Sequence, residues 1–267
     1  MSYSVPSVVS VAGSDSSGGA GIQADIKTIE AFGLFAQTVV TALTAQNTLG
    51  VYGVLDADPS FVRAQIDAVF SDIRPDAVKI GMVSSRPIAE AIAQGLAAHD
   101  ARNVVLDPVM VSTSGVSLID DQAREALIER LFPLASVITP NIPEAEVLCG
   151  MEVRTRDDME RAARMLKAMT PGAVLVKGGH GVSGADDLLC CDDGMHWFEG
   201  RRIETENTHG TGCTLSSAIA CGLARDDSAT QAVAAAKRYV AGALEAGFDM
   251  GKGSGPLDHM WEYRHAE

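Results

Sequence analysis

The sequence predicts an α/β protein built on a central, mostly parallel sheet with helices on both faces. Two observations carry this: short β-branched runs alternate with amphipathic stretches along most of the chain, and those runs are continuously apolar rather than alternating in and out. A strand that is apolar at every position has protein on both sides. PSVVSVAG opens as a strand and GIQADIKTIEAF follows as a helix. QTVVTA and YGVL are further strands, the second leading to the helix PSFVRAQIDAVFSDI. AVKIG and RPIAEAIAQGLAAH repeat the unit, as do NVVLD and DQAREALIERLF. SVITP leads to IPEAEVLC and a second helix ending at Met169, and GAVLVKG is the next strand. Residues 186–199 break the rhythm: DDLLCCDDGMHWFEG reads as two short strands joined at Asp193 and Gly194, an antiparallel hairpin, and two helices close the chain. No linker, repeat or low-complexity tract interrupts residues 1–267, which are expected to form one domain.

Composition narrows the function. A chain of 267 residues with 46% hydrophobic and 21% charged residues can bury a real core, which disfavours disorder. No run approaches the roughly 18 apolar residues of a membrane span, and the N-terminus lacks a basic signal-like start, so a soluble, cytoplasmic protein is expected. The formal charge of −14 disfavours nucleic acid and anionic membranes as partners. Five cysteines, without CxxC or zinc spacing, fit a reducing compartment. An anionic substrate must therefore be held by local dipoles, a few placed lysines or a metal.

Three glycine-rich loops follow predicted strands, where open α/β sheets collect their ligands. VAGSDSSGGAGIQAD does not have GxGxxG spacing, and the chain has no GxxxxGK[ST], which disfavours an ordinary dinucleotide or P-loop site. Asp25 falls with Ile22, Ile26 and Ile29 on the apolar side of the following helix; it is expected to face a ligand at the sheet edge, or to be held by the helix start. VKGGHG brings Lys177 to a strand end, within reach of a phosphate. In NTHGTGCT, Gly210, Thr211 and Gly212 lead into a helix whose first amides lack intrahelical partners and, with the macrodipole, favour an anion. Cys213 stands in that field, where a thiol pKa is expected to fall; Cys149 and Cys221 read instead as small apolar residues. Lys237 lies on the stripe of Val233, Val240 and Leu244, either snorkelling to the helix edge or aimed at phosphate oxygens.

Seven motifs in order (AGSDSSGGAGIQADIKT, TALTAQNTLGV, KIGM, VVLDPVM, ITPNIPEAE, VKGGH and NTHGTGCT) make the chain resemble, over nearly its whole length, the bacterial hydroxymethylpyrimidine and phosphomethylpyrimidine kinases of thiamine biosynthesis, in the ribokinase superfamily. The resemblance implies a ribokinase-like sheet without the β lid of the sugar kinases, ATP with Mg²⁺, two successive phosphorylations of one small pyrimidine, and a homodimer. It puts Cys213 at the catalytic position with Gly210, Thr211 and Gly212 as anion hole. Lys177, Lys237, Asn141 and Glu144 fall near the ATP phosphates, with Glu144 and Asp107 toward Mg²⁺ through water. Gly13, Asp25, Thr44, Gln46, Met82 and Val109 line the pyrimidine pocket. Chemistry supports Gln46, since a carboxamide matches the amine and ring nitrogen of an aminopyrimidine; a loop glutamine capping backbone is the plainer reading. DSSGG stands where the family has DPSGG, and SGVSL lacks the polar residue expected after its Ser-Gly pair. A pyridoxal or pyridoxamine kinase, or an enzyme of dual specificity, is the nearest alternative.

Overall fold

A computed structural model describes residues 5–110, 119–179, 184–247 and 249–264; the SGVSL stretch and His180 lie outside them. A nine-stranded sheet has the order β3-β2-β1-β4-β5-β6-β7-β8-β9. The strands are β1 (Ser7–Asp15), β2 (Phe35–Asn47), β3 (Gly50–Asp56), β4 (Ala77–Ile80), β5 (Val104–Leu106), β6 (Val137–Ile138), β7 (Ala173–Val176), β8 (Asp187–Cys191) and β9 (Gly194–Phe198). From β2 to β7 neighbours run parallel; β3 at one edge and the β8–β9 hairpin at the other are antiparallel. The predicted α/β architecture is therefore the observed one.

Two apolar layers explain the uninterrupted strands. In β5, Val104 and Leu106 pack with Ile66, Ile92 and Leu131 on one face, while Val105 packs with Ile29, Ile219 and Val233 on the other. The first layer is covered by helices including α2 (Pro59–Asp72), α3 (Arg86–Ala98), α4 (Asp121–Ala126), α5 (Ile142–Cys149) and α6 (Arg156–Lys167). The second lies under α1 (Gly21–Ala31), α7 (Thr211–Leu223) and α8 (Ala229–Glu245). No helix among the described residues is long and apolar enough to cross a membrane.

Two features position the site. The chain leaves β1 for β2 on one side and later returns to β4 on the other, so the carboxyl ends of β1 and β4 flank a topological switch point, where open sheets leave a crevice. And β2 is longer than QTVVTA suggests: its 13 residues continue through LTAQN and pair back on β3, Leu43 opposite Leu55 and Thr44 opposite Val54. Gln46 thus lies on a strand, not in a loop.

Candidate active site

Beyond the carboxyl ends of the strands lies a cleft of about 1250 Å³. One wall is the start of α7. Gly210 caps it at φ 85° with no side-chain cap, and a Cβ there would collide with the Gly19 carbonyl, so only glycine fits this backbone. The Thr211 amide donates to Thr208 O at 3.2 Å, closing the turn. The amides of Gly212 and Cys213 have no hydrogen-bond partner among the described residues, which leaves two donors and the positive helix end at the cleft.

Facing them are groups from successive strand ends. Lys177, after β7, contacts Asp107, after β5, at 2.7 Å, and Thr139, after β6, donates to the same carboxylate at 3.0 Å. A Cβ on Gly212 would stand 3.3 Å from Lys177 Nζ and 3.4 Å from Asp107 Oδ2, so this pair sits beside the open amides. Asn141 and Glu144 form a capping box at the start of α5: the Asn141 side chain accepts from the Glu144 amide at 2.9 Å and Glu144 Oε2 from the Asn141 amide at 2.8 Å. Burial lifts the Glu144 carboxyl to about 7, with Lys177 opposing and the Asp107 charge adding to the rise. Lys177 is held charged because Asp107 and Glu144 outweigh its burial. Farther along, Lys237 reaches from α8 to Asp187 at 2.7 Å and Ala185 O at 2.6 Å, on the cleft wall rather than out in solvent.

The other end of the cleft is formed by β1, β2 and the segment after β4. Gly13 lets Met82 approach, since a Cβ there would lie 3.2 Å from the sulfur. Val109, Thr44 and Gln46 line the same end. Behind Gln46 lies a buried pair that sequence reasoning did not single out: His209 Nε2 is 2.8 Å from Asp15 Oδ2, and both residues are at most 5% exposed. Burial works to raise the Asp15 carboxyl, but hydrogen bonds from His209, Ser17 and the Ala20 amide prevail and hold it at about 2.

A family model described as phosphomethylpyrimidine kinase matches residues 15–258. The chain belongs to the phosphomethylpyrimidine kinase family. It is 49% identical over 256 residues to the hydroxymethylpyrimidine/phosphomethylpyrimidine kinase of Streptomyces coelicolor, covering 96% of this chain and 95% of that one. It is 50% identical to a bifunctional thiamine biosynthesis protein of Geobacter sulfurreducens, of whose length it spans about half, 52%. Among solved structures it is similar to the phosphomethylpyrimidine kinase of Clostridium difficile, with TM-score 0.80 and 44% identity over 89% of this chain and 98% of that one. An ADP complex of Bacillus subtilis pyridoxal kinase superposes with TM-score 0.90 at 36% identity, over 97% of this chain and 99% of that one.

Two expectations for this phosphomethylpyrimidine kinase family member need correction. Asp25 does not face a ligand. Its carboxylate is fully buried behind the cleft, 2.9 Å from Lys79 Nζ through both oxygens, and accepts from Ser10 Oγ at 2.5 Å and Ser217 Oγ at 2.7 Å. The charge on the apolar side of α1 is met by a lysine in the middle of the sheet, not by a substrate. Nor is the Cys213 thiol depressed: burial raises its pKa and the charges of Asp25 and Asp107 add to this, while Lys79 only opposes them. Burial of the thiol, with the two carboxylates adding to it, keeps the sulfur neutral in spite of the helix start. The signal for Lys79 was present, because a lysine inside AVKIG must find a partner if that strand is buried. Nothing local in NTH announces that His209 meets Asp15, 194 residues away.

Proposed function

We propose that this protein transfers the γ-phosphoryl group of ATP to the hydroxymethyl oxygen of 4-amino-5-hydroxymethyl-2-methylpyrimidine, and then a second to the resulting monophosphate, in thiamine biosynthesis. The observation that carries this reading is the juxtaposition in one cleft of two open amides at the α7 start with the Lys177–Asp107 pair on one side and the Gln46 carboxamide on the other. In each transfer a bond forms from the acceptor oxygen to phosphorus and the bond to the β-phosphate oxygen breaks as ADP departs; in the first the hydroxymethyl group also loses its proton, whereas the monophosphate accepting the second is mostly a dianion at neutral pH and has none to lose. The Gly212 and Cys213 amides stabilise charge on the moving phosphoryl group. Lys177 and Lys237 hold phosphates, and the α5 capping box fixes Asn141 and Glu144 beside them. Because the Cys213 thiol is held protonated, it relays the proton: Sγ takes the acceptor's hydrogen while passing its own to a phosphoryl oxygen.

The hard oxygens of Glu144 and Asp107 fit Mg²⁺ bound through water. That ion would neutralise charge on the nucleotide. Gln46 would read the amine and ring nitrogen of the pyrimidine. The pyridoxal kinase reading, alone or as a second activity, is favoured by the close superposition on the Bacillus subtilis enzyme. Purified protein with Mg-ATP and, separately, hydroxymethylpyrimidine, its monophosphate, pyridoxal and ribose is expected to give mono- and diphosphorylated pyrimidine by mass spectrometry. Pyridoxal phosphate as the dominant product would replace the proposal with its alternative.

A homodimer and a cytoplasmic location complete the proposal. Edge strand β3 and its partner expose Leu43, Tyr52 and Leu55 at 52%, 69% and 68%, beside Phe61 at 63%. Such a contiguous apolar edge is a surface that monomers seldom leave bare, and a second copy of the chain, as the resemblance implies, covers it. Sedimentation should give a dimer, and Tyr52→Lys with Leu55→Lys should give monomers; a monomeric unmodified chain removes the assembly. The free cysteines support a reducing compartment.

A further inference from the structure

Gln46 is pinned by its backbone: Ser16 Oγ donates to its carbonyl at 2.8 Å and accepts from its amide at 2.9 Å. One freedom remains, the exchange of oxygen and nitrogen at the end of the side chain, two arrangements that fill the same space. The neighbours decide it. The carboxamide end lies between His209 Nε2, 3.3 Å from Nε2, and Thr44 Oγ1, 3.2 Å from Oε1. The Asp15 carboxylate accepts from the amides of Ser17, Gly19 and Ala20, and from Ser17 Oγ, so it has acceptors only to offer. His209 Nε2, 2.8 Å from Asp15 Oδ2, must therefore carry a hydrogen. An amide N–H pointed at the same nitrogen would set donor against donor. On the other side, Thr44 Oγ1 has the Ser14 carbonyl at 3.0 Å as an acceptor for its one hydrogen, so its lone pairs can take a Gln46 N–H. His209 thus requires, and Thr44 permits, the amide with its oxygen toward His209 and its nitrogen toward Thr44.

We propose that Asp15 and His209 lock the Gln46 carboxamide in this orientation, and that the fixed order of acceptor and donor sets the preference for an aminopyrimidine edge over a phenolic one. A carboxamide free to rotate would accept an amine or a phenolic oxygen; a locked one offers its remaining lone pair to the amine and repels the oxygen. Asp15 and His209 are positioning residues. The proposal rests on the reading that Gln46 meets the substrate ring, and its test separates the two.

In isotope-labelled full-length protein, long-range proton–nitrogen NMR should show a hydrogen on His209 Nε2, and the Gln46 amide protons should lie near the Thr44 methyl rather than the His209 ring. A bare Nε2, or amide protons beside the ring, overturns the lock without any variant. Asp15→Ala removes the acceptor that holds the hydrogen on His209 Nε2, frees the other tautomer and lets Gln46 turn over. The expected result is a rise in KM for hydroxymethylpyrimidine on the order of tenfold, a matching fall in selectivity over pyridoxal, and a small change in kcat. His209→Gln, which keeps an N–H at the same reach, should restore the selectivity that His209→Leu loses; equal behaviour of the two reduces His209 to a packing role. Gln46→Met should lose selectivity as well. If it does while Asp15→Ala does not, the lock is wrong and the reading of Gln46 stands; if Gln46→Met changes nothing, the reading fails and the specificity proposal with it.

Discussion

Cys213→Ala is expected to lower kcat for the first phosphorylation by roughly 10²- to 10⁴-fold, the usual worth of positioned proton transfer, and to affect the second far less, since its phosphate acceptor is already ionised. KM for the pyrimidine should move little. The substitution removes one sulfur at the cleft and leaves the helix start to Gly210, whose backbone does not depend on the thiol. Cys213→Ser should retain more activity than alanine, since a hydroxyl also passes a proton. A relay of this kind needs no thiolate, in keeping with a thiol that burial and two carboxylates keep protonated. Single-turnover rates with Mg-ATP read the chemical step directly, and alanine turnover equal to that of the unmodified protein would take the sulfur out of the mechanism.

The second large effect lies under the site. Asp25→Ala or Lys79→Met leaves one charge fully buried without its partner, and each should lower the free energy of unfolding by about 3–5 kcal/mol. The double replacement Asp25→Leu with Lys79→Met should cost far less than the sum, because no charge remains to be solvated. The dependence on pH has a definite sign. Burial alone would depress Lys79, but Asp25 outweighs it and raises the pKa in the folded state. A raised lysine contributes stability that is complete below its unfolded value of about 10.4 and is lost as pH climbs through the folded one. Between roughly pH 6 and 9 the cost of Lys79→Met should therefore be flat. Urea melts of the three variants decide this, and a double variant as unstable as the sum of the singles would refute the pairing argument.

Much of the molecule was legible in advance where its signal is local. Period and composition expose two-sided strands such as AVLV, and the Asp193-Gly194 pair marks the β8–β9 hairpin. The end of β2 was not legible, because TAQN is polar and resembles a loop until β3 supplies its hydrogen bonds. Asp25 stands out in the sequence as a carboxylate on an apolar face, but its partner does not. Helical spacing tells which way a carboxylate points, not that a lysine from another strand waits there. The sequence of α7 shows that its first amides lack side-chain caps, yet the one at Thr211 is taken by Thr208 O, leaving Gly212 and Cys213 open. The position of Cys213 at the helix start is visible in the sequence, but the burial that raises its pKa, and the carboxylates that add to it, are not.

By itself the sequence determined the alternation of strands and helices, the glycines that let chain approach chain, and the presence of lysines and a carboxamide suited to phosphates and an aminopyrimidine. These depend on residue type and spacing, which act over a few bonds. Only the tertiary structure decided which charges meet: Lys79 with Asp25 behind the cleft, Lys177 with Asp107 inside it, and Asp15 with His209 beneath Gln46. Each pair joins residues 54 or more positions apart, and burial rather than local chain preference makes an unpaired member too costly to leave alone.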